Sequence, residues 1–239
     1  MPLLLTPWQS FLHEHRIMTL LNEAGPIRVP QVRMVDTDAG VLMFEMIDGP
    51  RLGPEWPTEL DPADLARAIA VAQTIGRFWP PTPDLARLPV TDHLRRYLDR
   101  GLLNSDDAIT IASALAVRPI KWAFAHGGLS ARTLIREPTG VLAVIDWEPA
   151  GIYPAGYDLA FLWFTTRAVP EARQTIEAAV PANHRSSFFL SALLIALQHL
   201  DPRGGLGPGI DSDLDRADAE GLMAQLGAVA QEGSVDTQP

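Results

Sequence analysis

Cysteine is absent from the 239 residues, and lysine occurs once, at Lys121. The first absence removes disulfides, thiolate metal sites and cysteine nucleophiles together. The second excludes a GxxxxGK[ST] phosphate loop and leaves Lys121 as the one side chain that can form a Schiff base. No apolar run approaches the roughly 20 residues that span a bilayer. MPLLLTPWQS starts apolar, but it has no basic leader and no small-residue cleavage site, so no signal peptide and a cytoplasmic protein are expected. Positive charge is also scarce. A formal net charge of −10 argues against a nucleic-acid partner, which needs a basic surface.

What remains is ordinary for a globular chain, 47% hydrophobic and 20% charged. The length suits one sizeable core, or two small lobes around a cleft. The negative charge is concentrated at the end. From Leu200 onward, eight acids stand against Arg203 and Arg216. A solvated helix face with a disordered tail explains them; an acidic wall drawing a cationic ligand is the alternative.

Apolar residues at Phe11, Leu12, Ile17, Met18, Leu20 and Leu21 follow a helical period over residues 8–22, stopped by Gly25-Pro26. VPQVRMVDTD and GVLMFEMIDG read as two strands around a turn at 36–40. A Pro/Gly-rich stretch at 49–62 reads as a linker. Asp61-Pro62 then caps a helix over 63–78. Helices are expected at 91–100, 105–116, 156–167, 170–180, 184–200 and 213–231, with a loop at 201–209 and a frayed tail at 232–239. Between the fourth and fifth helices in chain order, a strand–loop–strand runs through Trp147. The domain expectation is a partial N-terminal lobe at 1–50, a helical lobe with an embedded hairpin at 51–231, and the tail.

That hairpin, AFAHGGLSARTLI followed by VLAVIDWEPAG, holds the chemistry. Asp146 ends a continuous apolar strand beside a glycine-rich loop, a place suited equally to a Mg²⁺ ligand and to a turn cap. His126 can be a base or a packed loop residue. Asp158, opening an apolar helix, reads as a cap or as a buried acceptor tying loops together. Asp211-Ser212-Asp213-Leu214-Asp215 begins like a calcium loop, but Arg216 stands where Gly is required and Leu222 where Glu is required. His13-Glu14-His15 is not HExxH, since imidazoles two positions apart on a helix diverge.

HGGLSARTLI, IDWEPAG and YPAGYDLAFLW together resemble the aminoglycoside phosphotransferase and choline kinase family, whose pattern is HGDxxxxN, then IDW or IDF, then DPxxDLA. The resemblance implies an α+β, protein-kinase-like fold with a reduced N-terminal lobe and a mainly helical C-terminal lobe. It implies ATP and Mg²⁺ as cofactors and Asp146 as the metal ligand. Asp158 becomes a structural aspartate. Glu14 becomes the glutamate that pairs with a nucleotide-anchoring lysine, and Glu45-Met46-Ile47 the hinge whose backbone meets an adenine edge. The departures are as informative. Gly128 stands where the family's catalytic aspartate belongs, Thr133 where its metal-binding asparagine belongs, and no lysine precedes Lys121 to pair with Glu14.

Loss of a general base alone costs about 10²–10⁴ in rate, and loss of positioning adds to that. The expectation is therefore a catalytically impaired relative. Its His126, Gly128 and Thr133 occupy a degenerate loop, and it binds a nucleotide or small molecule weakly as a binding or regulatory module. The alternative is an active phosphotransferase acting on a small hydroxylated, cationic acceptor from Asp146 or Glu148. A glycine-rich strand and a lysine encoded in frame ahead of Met1 is a further expectation that Glu14 raises. A reduced upper lobe leaves sheet edge and apolar surface open to a protein partner or a second copy.

Overall fold

The computed structural model describes residues 6–80, 85–201 and 212–235. Helix α1 (Pro7–Ala24) opens on a capping box, in which the Thr6 hydroxyl accepts from the Gln9 N–H and the Gln9 side chain accepts from the Thr6 N–H. Gly25 and Pro26 end it as the sequence predicts, and Ile17, Met18 and Leu21 face the core. Strands β1 (Val32–Asp36) and β2 (Val41–Phe44) form an antiparallel pair. Their turn is closed by the Asp36 carboxylate, which accepts from the N–H groups of Asp38 and Ala39.

The expected linker is not a free tether. The Pro50 carbonyl accepts from Arg136 N–H and Leu52 N–H donates to the Leu134 carbonyl, both at 2.9 Å, so this stretch lies along strand β4 (Leu134–Arg136). On the other side, Val144 N–H of strand β5 (Leu142–Val144) donates to the Arg28 carbonyl. Arg28 also bridges Glu45 and Glu137, so hairpin β4–β5 is stitched to the N-terminal elements from both edges.

Helix α2 (Pro62–Arg77) starts where Asp61 caps it, and α3 (Val90–Asp99) and α4 (Ser105–Val117) follow within a residue of expectation. The strand–loop–strand reading needs correction. Strand β3 (Trp122–Ala125) does not pair with the strands that follow it. It pairs antiparallel with β6 (Gly151–Pro154), a strand the sequence reading passed over. The glycine-rich loop therefore joins two different two-stranded sheets, and its conformation is set from both.

Helices α5 (Tyr157–Thr165), α6 (Ala172–Ala179), α7 (Arg185–Leu200) and α8 (Ser212–Val235) complete the lower part. Helix α7 is buried on nearly every side, which explains its lack of an amphipathic stripe. The helical run of α8 extends to Val235, four residues into the expected tail, and most of the expected 201–209 loop lies outside the described residues. Four acids of this region have arginine partners drawn from other elements. Asp201 pairs with Arg100, Asp215 with Arg167, Asp218 with Arg173 and Glu232 with Arg118. These four carboxylates lock helices together and are not available as a cation-binding wall. No helix among the described residues is long and apolar enough to cross a membrane.

Candidate functional site

Strand β3 delivers the chain to residues 126–133, and the sequence makes that loop rigid. Gly127 has φ +84, and a Cβ there would lie 2.5 Å from the Pro149 carbonyl oxygen and 2.8 Å from the Tyr153 hydroxyl, so only glycine fits. Asp158, buried in the first turn of α5, accepts from the N–H groups of His126 at 2.8 Å and Gly127 at 3.0 Å. Burial pushes its carboxyl up to about 6, against the pull of those two donors.

His126 is fully buried. Its Nε2–H donates to the Ile145 carbonyl at 2.9 Å, and its Nδ1 accepts from Gly128 N–H at 3.2 Å. Burial lowers its pKa to about 4. With the ring neutral and both nitrogens engaged, His126 holds the loop and takes no proton from a substrate. Its surroundings are those of a packed, hydrogen-bonded loop residue.

Gly128 is the opposite of Gly127. A Cβ built there meets Pro149 Cγ at 3.6 Å and the His126 ring at 3.9 Å, both ordinary contacts, so a side chain would fit. Position 128 therefore has room for a side chain that glycine does not supply. Thr133 is buried, and its hydroxyl accepts from Ser130 N–H at 3.0 Å while lying 3.1 Å from the Ser130 carbonyl. Its hydroxyl closes the short 3₁₀ turn Ala131–Thr133.

Asp146 follows β5 with φ +69, a left-handed conformation that aspartate tolerates better than most residues. The twist sends Trp147 into the core, where its indole donates to the Val144 carbonyl, stacks on Phe124 and meets the His126 ring edge-on at 4.7 Å. The Asp146 carboxylate is left half-exposed. Its partner is Arg132, whose Nη2 lies 3.4 Å from Asp146 Oδ2 and whose Nε lies 3.8 Å from Glu55 Oε2.

Helix α1 closes on this site. His13 Nε2 donates to the Ala150 carbonyl at 2.7 Å, and the Glu14 carboxylate accepts from the backbone N–H of Trp147. Burial raises the Glu14 pKa, and the charges of Asp146 and Glu148 raise it further. No basic side chain pairs with Glu14 among the described residues. At the hinge position, the Glu45 carboxylate is taken by Arg28 at 2.8 Å and by Gln31 N–H, and its pKa falls to about 2. Glu45 N–H donates to the Gln31 carbonyl. The Glu45 carbonyl and the backbone of Met46 and Ile47 make no hydrogen bond among the described residues and stay open to a ligand edge.

The structure thus brings Glu14, Asp146 and Glu148 together, with Gly128 beside Pro149, while the Thr133 hydroxyl is engaged by Ser130. Lys121 sits at the other end of β3, with Ser187 and Ala155 bonded to its backbone and His184 nearby, so it plays no part in the cleft. The sequence reading missed Arg132, Glu55 and His13. Only Arg132 offered a signal, as a charged residue inside a loop of small ones.

The residues present do not fit a divalent cation. Mg²⁺ demands near-octahedral oxygen donors, while Asp146 faces a guanidinium and the Thr133 hydroxyl points into its own turn. No group of three or more carboxylates and histidines among the described residues can hold a metal ion.

A family model described as the phosphotransferase enzyme family matches residues 7–189. No curated protein sequence matches the chain. Among solved structures, a choline/ethanolamine kinase family protein from Mesorhizobium loti superposes with a TM-score of 0.65 at 20% identity, covering 92% of this chain and 80% of the other. The choline kinase LicA from Streptococcus pneumoniae gives 0.63 at 16% identity over 92% and 84% of the two chains. The GDP and kanamycin complex of APH(2")-IIia gives 0.57 at 14% identity over 98% and 85%. The fold is that of kinase-like phosphotransferases, with small sheets and a helical C-terminal part.

Proposed function

This chain belongs to the phosphotransferase enzyme family, and on that premise we propose that it is a catalytically impaired member that binds a small molecule at the hinge instead of transferring phosphate. The observation that carries this reading is Gly128. Everything that shapes the loop is in place: the left-handed Gly127, the buried neutral His126 and the Asp158 clamp. The position that would remove a proton from an incoming hydroxyl carries only hydrogen. A loop that had merely drifted would not keep its anchors in register.

The open backbone at Glu45, Met46 and Ile47 supports a purine ligand. So do the complexes of fold neighbours, which include LicA with AMP and APH(2")-IIia with GDP. Such a protein acts as a binding or regulatory module. Asp146 and Glu148 remain the carboxylates from which an active transferase would have to work.

ATP consumption by the purified protein, assayed against a panel of aminoglycosides and amino alcohols, tests the proposal. Consumption at the level of a protein-free control is expected. Robust turnover that disappears in Asp146→Ala would overturn it and establish the active reading.

A further inference from the structure

The cleft's charges are arranged against a polyphosphate. Glu14 and Glu148 lie beside Asp146, with Glu55 across the loop. The one lysine of the chain is behind β3, and among the described residues no basic side chain pairs with Glu14. Arg132 is the basic side chain in contact with this group, and it touches both Asp146 and Glu55. A guanidinium is a permanent cation with several donors fixed in a plane. Set against Asp146, it neutralises the carboxylate that a metal would otherwise neutralise, and it blocks the approach of a hydrated ion from that side. The second donor a metal would need is absent, since Thr133 spends its hydroxyl on its own turn.

We infer that Arg132 replaces the divalent cation at Asp146, so that the cleft takes a purine nucleoside without metal and discriminates against the triphosphate. This rests on the hinge-binding reading above and names the ligand of that same site. The base half of a nucleotide site survives in the open hinge backbone. In the phosphate half, each added phosphate brings negative charge towards Glu14, Asp146 and Glu148, with a single, already engaged arginine to meet it. A kinase gains affinity from phosphates through lysine and metal; this cleft loses it.

Calorimetric titration of the full chain with adenosine, AMP and ATP, each in EDTA and again in excess Mg²⁺, tests the inference. Adenosine should bind at least about tenfold tighter than ATP, a difference of roughly 1.4 kcal/mol, with AMP between them and Mg²⁺ changing none of the three by more than about twofold. Mn²⁺ titration followed by electron paramagnetic resonance should show no site in the wild-type protein. In Arg132→Gly, Mg²⁺ should raise ATP affinity by more than about twofold, because the phosphates bring the oxygen donors that Thr133 does not, and adding Asp146→Asn should remove that gain. Arg132 is about half-exposed, so its removal leaves the fold intact, which the melting temperature checks. Tighter binding of ATP with Mg²⁺, or a wild-type Mn²⁺ site lost in Asp146→Asn, would overturn the inference while leaving the hinge reading standing. Binding of none of the three compounds would sink the hinge reading and this inference with it.

Discussion

A methyl group added at position 127 is driven against the Pro149 carbonyl and the Tyr153 hydroxyl, whereas one added at 128 meets only ordinary contacts. Two adjacent glycines that look alike in the sequence therefore make opposite predictions. Gly127→Ala should destabilise the protein by about 2–4 kcal/mol through left-handed strain and steric conflict. Gly128→Asp should change unfolding free energy by less than about 1 kcal/mol. Urea denaturation of the two variants checks both values, and equal losses would contradict this account of the loop. Asp158→Ala leaves two buried N–H groups without an acceptor and should cost about 2–5 kcal/mol by the same assay. Asp158 was legible as a buried acceptor tying loops together because it opens an apolar helix. Arg132 was not legible, because its partners Asp146 and Glu55 are distant in sequence and meet it only in the folded chain.

Helix α8 buries Ala219, Leu222, Leu226 and Val229, and it is also tied by arginines from α6 and the connection before it. Arg167 and Asp215 are nearly inaccessible, at 13% and 0% exposure, and Arg173 grips Asp218 with two hydrogen bonds while its guanidinium covers the Trp163 ring. Removing one partner of a buried pair strands the other charge. Asp215→Ala should therefore cost about 3–5 kcal/mol and expose α8 to limited proteolysis ahead of the remaining chain. Exposed Arg118–Glu232 should contribute no more than about 1 kcal/mol. Helices with a cap and a stripe, such as α2 behind Asp61, were read to within a residue. Strand β6 was not, because its four residues are all buried and show no alternation, and its partner β3 lies about thirty residues upstream, where no local pattern points. The ion pairs of the acidic C-terminal segment were hidden for a related reason. Sequence shows the acids, but their arginine partners come from α3, α4, α6 and the turn after α5.

For the whole molecule, buried titrating groups set the response to acid. His126 and His93 have their pKa values pushed down to about 4 by burial, so both must be neutral in the folded state. Their contribution is present above pH 6.5 and is lost as the pH falls towards 4, which for His126 amounts to about 2 kcal/mol at pH 5. Asp158 acts in the opposite sense. With its carboxyl raised to about 6, it favours the folded state more at pH 5 than at pH 7, offsetting about 1 kcal/mol of the histidine effect. The histidines prevail, and the urea midpoint should fall between pH 7 and pH 5; an unchanged or rising midpoint would show that His126 is not held neutral. The kinase-like fold was legible from motif order, and the family match over residues 7–189 agrees with it. The stitching of the presumed linker to β4 was not, since it is made by backbone groups that any sequence carries.

The central claim is that a loop with intact anchors and no acid at position 128 does not transfer phosphate. Its most direct measurement is a single-turnover assay with the wild-type protein in excess over γ-labelled ATP, Mg²⁺ and a pooled set of hydroxylated amines. The account predicts label remaining on ATP at the rate of a protein-free control. Label appearing on any acceptor well above that rate, and lost in Asp146→Ala, would contradict it.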